Sequence, residues 1–322
     1  MQGHGKYATK KIYIKFLAVL GIVLLHASAY SQQDAQYTQY MYNTVSVNPG
    51  YAGSRGHLSI AALYRSQWVG LDGAPKTQTF NLHTPVGYRG VGLGISVLNE
   101  QIGPTSETYL DLDFSYTIQT SREARLSFGL KASAHLLDVR FSELNQDWTK
   151  PGGSDPTLQQ NIDNKFSPNI GAGVYYHTQR FYAGISAPRI LETSHFEESS
   201  LSTAKEEMNF YLITGYVHDL GPFWKFKPAI LTKVVRGAPL QLDLSANFMY
   251  NERFILGAAY RWDAAVSAMA GFHISPEFLM GLAYDREVTE LGQAVFNDGS
   301  FEVILRYDFI KVADLLKSPR FF

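Results

Sequence analysis

Hydrophobic and polar residues alternate with a period of two along most of the chain. Between Tyr109 and Gln119 every second residue is apolar, from Leu110 to Ile118, and two aspartates lie between them. The same alternation recurs at 240–250 and 301–309. Alternating segments of about nine to eleven residues match transmembrane β-strands, whereas strands of soluble sandwiches usually have about five or six. The pattern predicts strands with one lipid-facing face and one polar face.

Extended over the whole chain, the pattern predicts an ordered series of strands joined by connections of unequal length. The fourteen predicted strands lie at 57–68, 76–86, 89–99, 106–119, 124–140, 168–177, 180–188, 208–219, 224–235, 240–250, 253–263, 264–274, 276–286 and 299–309. The longest connections, 141–167, 189–207 and 287–298, are all odd-numbered, and the even-numbered ones are short turns. Such one-sidedness is typical of outer-membrane barrels, which have long external loops and short periplasmic turns.

The predicted fold is therefore all-β: a transmembrane up-and-down antiparallel β-barrel of about 14 strands, with a short N-terminal segment before the first strand. Four lysines, an apolar run at 16–25 and Ala27-Ser28-Ala29 indicate a signal peptide over 1–29. The apolar run is too short to span a membrane, which takes about 20 residues. Residues 30–56 are predicted to be a periplasmic or plug-like segment, 57–309 the barrel, and 310–322 a C-terminal periplasmic tail.

Composition narrows the possible functions. Hydrophobic residues make up 45% of the chain and aromatic residues 14%, while charged residues make up only 18% and there are no cysteines. The absence of cysteine excludes disulfides, cysteine-ligated zinc and a thiol nucleophile. A net charge of −1 offers no basic field for nucleic acid. The histidines lack metal-binding spacing, and no G-x-S-x-G elbow is present, so we expect no metal, no cofactor and no enzymatic activity.

Two groups of residues are candidates for function. Charged residues on the polar strand faces are expected to form a lumen network with partners on neighbouring strands; these are Asp111, Asp113, Asp243 and Arg306. The predicted outer loops carry candidates for partner binding; these are Trp148, Asp155, Glu197 and Glu198.

The segment after the predicted signal peptide carries an ordered set of motifs. Asn48-Pro49-Gly50-Tyr51-Ala52-Gly53 is followed by Tyr64-Arg65-Ser66-Gln67-Trp68, and Gly90-Val91-Gly92-Leu93-Gly94 precedes an expected loop, Asn99-Glu100-Gln101-Ile102-Gly103-Pro104. This combination resembles the PorP/SprF family of type IX secretion system outer-membrane proteins. The resemblance extends over essentially the whole chain after residue 29.

The resemblance implies an outer-membrane barrel that takes part in the export or surface attachment of large adhesins, including gliding adhesins. It implies a secreted cargo protein or adhesin, other type IX secretion components and outer-membrane lipid as partners. The residues that carry it are candidate family-motif positions: Asn48, Pro49, Tyr51, Gly53, Arg65, Gln67, Trp68, Asn99 and Gly103. If Arg65 and Gln67 face the lumen, we expect them to pair with lumen carboxylates such as Asp111 or Asp113 and to stiffen the barrel; otherwise they mark a docking site.

Two further interpretations stay open at this point. The same barrel pattern is compatible with a diffusion channel or a hydrophobic-solute transporter, which needs an open lumen. It is also compatible with a barrel hydrolase, which needs a Ser, a His and an acid at the outer rim.

Overall fold

The computed structural model describes residues 36–87, 90–144, 161–191, 208–236, 238–293 and 296–310. The expected signal peptide, and the predicted tail beyond its first residue, lie outside these ranges. The strands are β1 (Ser59–Ser66), β2 (Lys76–Val86), β3 (Val91–Ile102), β4 (Thr105–Gln119), β5 (Arg125–Val139), β6 (Ile162–His177), β7 (Phe181–Ala187), β8 (Asn209–Tyr216), β9 (His218–Asp219), β10 (Trp224–Val235), β11 (Gln241–Tyr250), β12 (Phe254–Arg261), β13 (Ala265–His273), β14 (Phe278–Glu287) and β15 (Ser300–Asp308).

Antiparallel pairing of sequential strands closes the sheet into a barrel. The two-residue strand β9 continues the line of β8 along β10, so the wall has fourteen strand positions and one short extra strand. β1 pairs with β15 over its whole length, from Ser59 opposite Asp308 to Ser66 opposite Phe301. The prediction of a closed fourteen-stranded antiparallel barrel is confirmed.

The two faces of the wall follow the alternation in the sequence. Leu110, Leu112 and Phe114 are exposed on the outside, while Asp111 and Asp113 between them are buried. In a barrel without edge strands, an outward apolar band faces lipid and the inward side chains fill the lumen. Burial in this protein therefore means enclosure in the lumen rather than packing between two layers.

Predicted and observed strand boundaries agree within two residues, with two corrections. β6 begins at Ile162 rather than 168, and its added residues pair with the end of β5 across a register shift between Leu137 and Val139. β3 continues to Ile102, so the expected loop 99–104 is a hairpin in which only Gly103 and Pro104 are unpaired. Polar residues in these stretches hid the strand pattern, because the alternation weakens where the wall extends beyond lipid.

The connections at the two ends of the barrel differ in length. One end carries the long connections 67–75, 140–161, 188–208 and 288–299. The other end has turns of three to five residues, and the first of these along the chain is 87–90. We call the first the outer end and the second the inner end, because outer-membrane barrels place their long loops outside.

Helical structure is confined to short turns. The first three, Tyr40–Tyr42, Thr44–Val47 and Pro49–Tyr51, lie before β1, and the others are Phe141–Leu144 and Glu290–Gln293. Among the described residues no helix has the length and apolar character needed to cross a membrane.

Candidate functional site: a lumen filled by the N-terminal segment

Residues 36–56 run through the barrel from its outer end to its inner end. Gln36 donates a hydrogen bond to Gln241 at the outer start of β11 (2.8 Å). Arg55 contacts Asp308 at the inner end of β15. Most side chains between these points are buried, and together with inward residues of the wall they form the hydrophobic core of the protein. We call residues 36–56 the plug segment.

The outer anchor of the plug segment is a buried ion cluster. Nη1 of Arg65 lies 2.6 Å from Oδ2 of Asp285 and 3.1 Å from Oε2 of Glu302. The same nitrogen donates to the hydroxyl of Thr38 (3.0 Å). The two carboxylate oxygens of Glu302 accept the backbone N–H groups of Thr38 and Gln39 at 2.9 and 2.8 Å. Three strands and the plug segment therefore share one charge network.

This cluster corrects the expected pairing of Arg65. Asp111 and Asp113 lie on β4, whereas β1 pairs with β2 and β15. Arg65 is therefore beside Glu302, which lies directly opposite it on β15. Opposite charges at facing positions of adjacent strands lie within reach of each other, whereas positions several strands apart do not.

The middle of the plug segment turns at Asn48 and Pro49. Asn48 caps the turn Pro49–Tyr51 by accepting the N–H of Gly50 (2.9 Å), and proline at the first helical position is already set for that geometry. The side-chain amide of Asn48 donates to the carbonyl of Val174 on β6 (3.0 Å). The side chain thus satisfies a helix end and also joins the plug segment to the wall.

Inward-facing glycines of the wall make room for this turn. A Cβ on Gly129 would clash with the backbone of Pro49 and Gly50, and one on Gly173 would clash with the Asn48 side chain. A Cβ on Gly92 would clash with the carbonyl of Ala52. Gly184 is similarly close to Asn48. These glycines, on β3, β5, β6 and β7, form a groove for the turn, which we call the glycine groove.

The inner anchor is a bidentate ion pair. Arg55 Nη2 and Nε donate to the two carboxylate oxygens of Asp308 at 2.8 and 3.0 Å, and both side chains are buried. Arg306 Nε lies 3.3 Å from the same carboxylate. Arginine stays charged in proteins, and the Asp308 carboxylate balances the charge of Arg55 inside the barrel.

Tyrosines fill the space between the anchors. Tyr51 meets His83 and Tyr175 edge-on, at ring-centroid distances of 5.4 and 5.2 Å. Gly53, with φ +72°, donates its N–H to His83 Nδ1 (3.2 Å). The motif residues Asn48, Pro49, Tyr51 and Gly53 thus all lie on the plug segment against the wall.

The other charged candidates lie on the inward face as well. Lys131 Nζ lies 2.9 Å from Asp111 Oδ2 and 3.1 Å from Asp113 Oδ1, and all three side chains are buried. Asp243 Oδ1 accepts from Arg261 Nε at 2.9 Å. Lumen carboxylates are thus held by cations from neighbouring strands.

The remaining motif residues lie near the outer end. Gln67 accepts a hydrogen bond from Arg65 Nε (3.0 Å) and so steadies the outer anchor. Trp68 follows β1 with φ +46°, and its indole donates to Glu287 (2.8 Å), at the end of β14. Asn99 bonds across the β3–β4 hairpin to Thr108 (2.9 Å), and Gly103, with φ +55°, forms its tip. The loop candidates Trp148, Asp155, Glu197 and Glu198 lie outside the described residues.

A small cavity opens between the plug segment and the outer half of the wall. Its lining includes Tyr37, Asp111, Arg189 and Tyr211. The Arg189 guanidinium lies 3.7 Å from the centroid of the Tyr109 ring. The His135 ring stacks on the same tyrosine ring, with 4.2 Å between the ring centroids. In the described part of the chain, no group of three or more His, Asp or Glu side chains is arranged to hold a metal ion.

Sequence reasoning missed most residues that hold the plug segment. Asp285, Glu302 and Asp308 have the same inward position in the alternation as the candidates, but their roles depend on pairing across strands. The signal for the glycine groove was visible only as small residues at inward positions of β3, β5, β6 and β7. Nothing in the sequence connected those positions to Asn48.

Comparison with known proteins shows the family of this chain. The chain is similar to the outer membrane protein Omp33 of Acinetobacter baumannii (9% identity, 79% of this chain and 98% of that one, TM-score 0.46). It is also similar to the CymD monoaromatic hydrocarbon channel (11% identity, 83% and 91%, TM-score 0.44) and to a Pseudomonas aeruginosa FadL homologue (14% identity, 79% and 90%, TM-score 0.40). A search of curated proteins found no match.

The family model described as type IX secretion system membrane protein PorP/SprF matches residues 29–307. This range includes the plug segment and every strand, except that β15 extends one residue beyond it, to Asp308. The chain therefore belongs to the PorP/SprF family, and it is an outer-membrane β-barrel of the type IX secretion system.

Proposed function

We propose that this protein is a plugged, non-enzymatic barrel that binds a secreted cargo protein or adhesin at its outer end and supports its export or surface attachment. Other components of the type IX secretion system are expected to dock on it. In this proposal the barrel acts as an anchoring and docking surface. The cargo does not pass through its lumen.

One observation carries the proposal. The plug segment occupies the lumen from Gln36 to Arg55. Its outer end is hydrogen-bonded through Thr38 to the buried cluster of Arg65, Asp285 and Glu302, and its inner end is held by the buried ion pair between Arg55 and Asp308. Removing one partner of a buried pair typically costs about 3–5 kcal/mol, so such anchors hold the segment in place. The plug segment and the inward side chains of the wall pack together as one buried core inside the barrel. The surfaces of the barrel, rather than its lumen, are therefore available for a protein partner.

The outer end offers the larger surface for such a partner. β4, β5 and β6 have 15, 15 and 16 residues, more than the about 9–11 needed to cross the membrane. The two longest connections, 140–161 and 188–208, follow β5 and β7 in the chain. They contain the four loop candidates. One of these is Trp148, and tryptophan is among the residue types enriched at binding hot spots.

Copurification tests the proposal. The tagged barrel would be extracted in mild detergent, and retained proteins would be identified by mass spectrometry. A large secreted protein at stoichiometric level is expected. Loss of that protein in Trp148→Ala, but not in Trp262→Ala, would place the contact on the long loop. Trp262 is a matched control because it is an exposed tryptophan in a short connection at the same end.

Conductance separates this proposal from the channel. The purified barrel in a planar lipid bilayer is expected to conduct no ions, because the plug segment fills the lumen. A variant lacking residues 36–50 is the positive control for the assay. A wild-type barrel that conducts steadily and retains no partner would overturn the proposal in favour of a diffusion channel.

A further inference from the structure

The chain passes through the lumen in one definite direction. Gln36 bonds to Gln241, the first residue of β11, and Thr38 bonds to Glu302, near the outer start of β15. Further along, Gly53 contacts Pro85 near the inner end of β2, and Arg55 pairs with Asp308 at the inner end of β15. β1 then starts at Ser59, also at the inner end. The segment therefore runs from outside to inside before the first strand runs outwards.

We infer that the plug segment enters the barrel from its outer end, so that Gln36 lies at the cell-surface mouth of the lumen and Arg55 at the periplasmic mouth. The inference concerns topology and does not depend on cargo binding. It places the two ends of the plug segment on opposite sides of the outer membrane.

The direction of the plug segment is fixed by charge as well as by shape. The outer cluster offers two carboxylates, Asp285 and Glu302, to backbone N–H groups and to the Thr38 hydroxyl. The inner end offers Asp308 to the guanidinium of Arg55. In the reversed direction Arg55 would lose its bidentate partner at the inner end, and buried charges without partners are strongly unfavourable. The shape of the glycine groove fits the turn at Asn48 and Pro49, which packs directly against these glycines.

The closed wall also holds the plug segment in place. β1 and β15 pair along all eight residues of β1, so the described wall is closed around the plug segment. The segment is held at both ends by buried groups, so it can leave the closed barrel only by breaking those contacts.

Single-cysteine labelling tests the inference directly, because the natural chain has no cysteine. Asp34→Cys would report the chain just before the plug segment. Phe296→Cys, 70% exposed in the outer connection 288–299, is the outer control. Arg122→Cys, exposed in the turn between β4 and β5, is the inner control. Intact cells would be treated with a membrane-impermeant maleimide, with permeabilised cells in parallel.

We expect Asp34→Cys to be labelled in intact cells, as Phe296→Cys is, and Arg122→Cys only after permeabilisation. Labelling of Asp34→Cys only after permeabilisation would overturn the inference, as would failure to label it in either preparation while the denatured protein reacts. Heat-modifiable migration on gels would confirm that each variant is a folded barrel. Should Asp34→Cys fail to assemble, Gln36→Cys with Gln241→Cys provides a second test. A short bismaleimide should then link them, and absence of the link in folded barrels would also overturn the inference.

Discussion

Arg65 on β1 and Asp285 on β14 form a buried ion pair of 2.6 Å although β15 lies between their strands. The guanidinium reaches over Glu302 of β15, which it also contacts, and bonds to Thr38 of the plug segment. The pair therefore connects non-adjacent parts of the wall through the lumen.

Replacing Arg65 by methionine is expected to destabilise the barrel strongly. The variant Arg65→Met leaves the Asp285 and Glu302 carboxylates buried without their cation, which typically costs about 3–5 kcal/mol. The midpoint of urea unfolding in detergent, followed by heat-modifiable migration, measures the effect.

The matched control for Arg65 is an exposed arginine. Arg180 pairs with Asp219 at 2.8 Å, but its side chain is 62% exposed. Arg180→Met should cost about 1 kcal/mol or less, since solvent screens such pairs. Equal effects of the two variants would contradict the role given to the buried cluster.

Lys131 on β5 offers a second test of the lumen network. Lys131→Met should destabilise the barrel because the neighbouring buried carboxylates of Asp111 and Asp113 then lose the lysine that they share. The triple variant Lys131→Met/Asp111→Asn/Asp113→Asn removes the unpaired charges and should recover most of the loss in the same unfolding assay. If the triple variant is less stable than Lys131→Met alone, the charge explanation is wrong.

Gly129 tests the fit between the glycine groove and the plug segment. Gly129→Ala places a Cβ against the backbone of Pro49 and Gly50, which cannot move aside as a flexible side chain could. We expect the turn to leave the groove and to become sensitive to protease, with unsteady conductance in a bilayer. Gly271→Ala is the control, because the nearest atoms that its Cβ would meet, at 3.3 Å or more, belong to Ile255 and Met280 of the wall. The same protease sensitivity in both variants would argue against the groove.

Leu112 tests the position of the lipid-facing band. Its side chain is 59% exposed in the middle of β4, and that of Leu240 is 60% exposed at the outer end of the wall, beside β11. Leu112→Arg should cost about 2–4 kcal/mol, the usual cost of arginine at the bilayer midplane, whereas Leu240→Arg should cost about 0–1 kcal/mol near the interface. Unfolding from lipid vesicles measures both, and similar costs would place the band elsewhere along the strands.

The wall of this protein follows from local patterns in its sequence. Residues such as Leu110, Asp111 and Leu112 alternate between apolar and polar with the two-residue period of a β-strand. The number of strands, their lipid face and their lumen face therefore follow from the local pattern. The lengths of the connections then assign the outer end. The two misplaced boundaries, at Ile162 and Ile102, lie where the strands extend past the membrane and the pattern no longer has to alternate.

The contents of the lumen became clear only from the folded structure. The partners of Arg65, the docking of Asn48 among Gly129 and Gly173, and the path of the plug segment all join residues far apart in the chain. Periodicity tells which way a side chain points, but contacts across a lumen depend on register and closure, which set which inward positions meet. The sequence thus shows that Arg65 can face the lumen, and the closed barrel places Asp285, Glu302 and Thr38 around it.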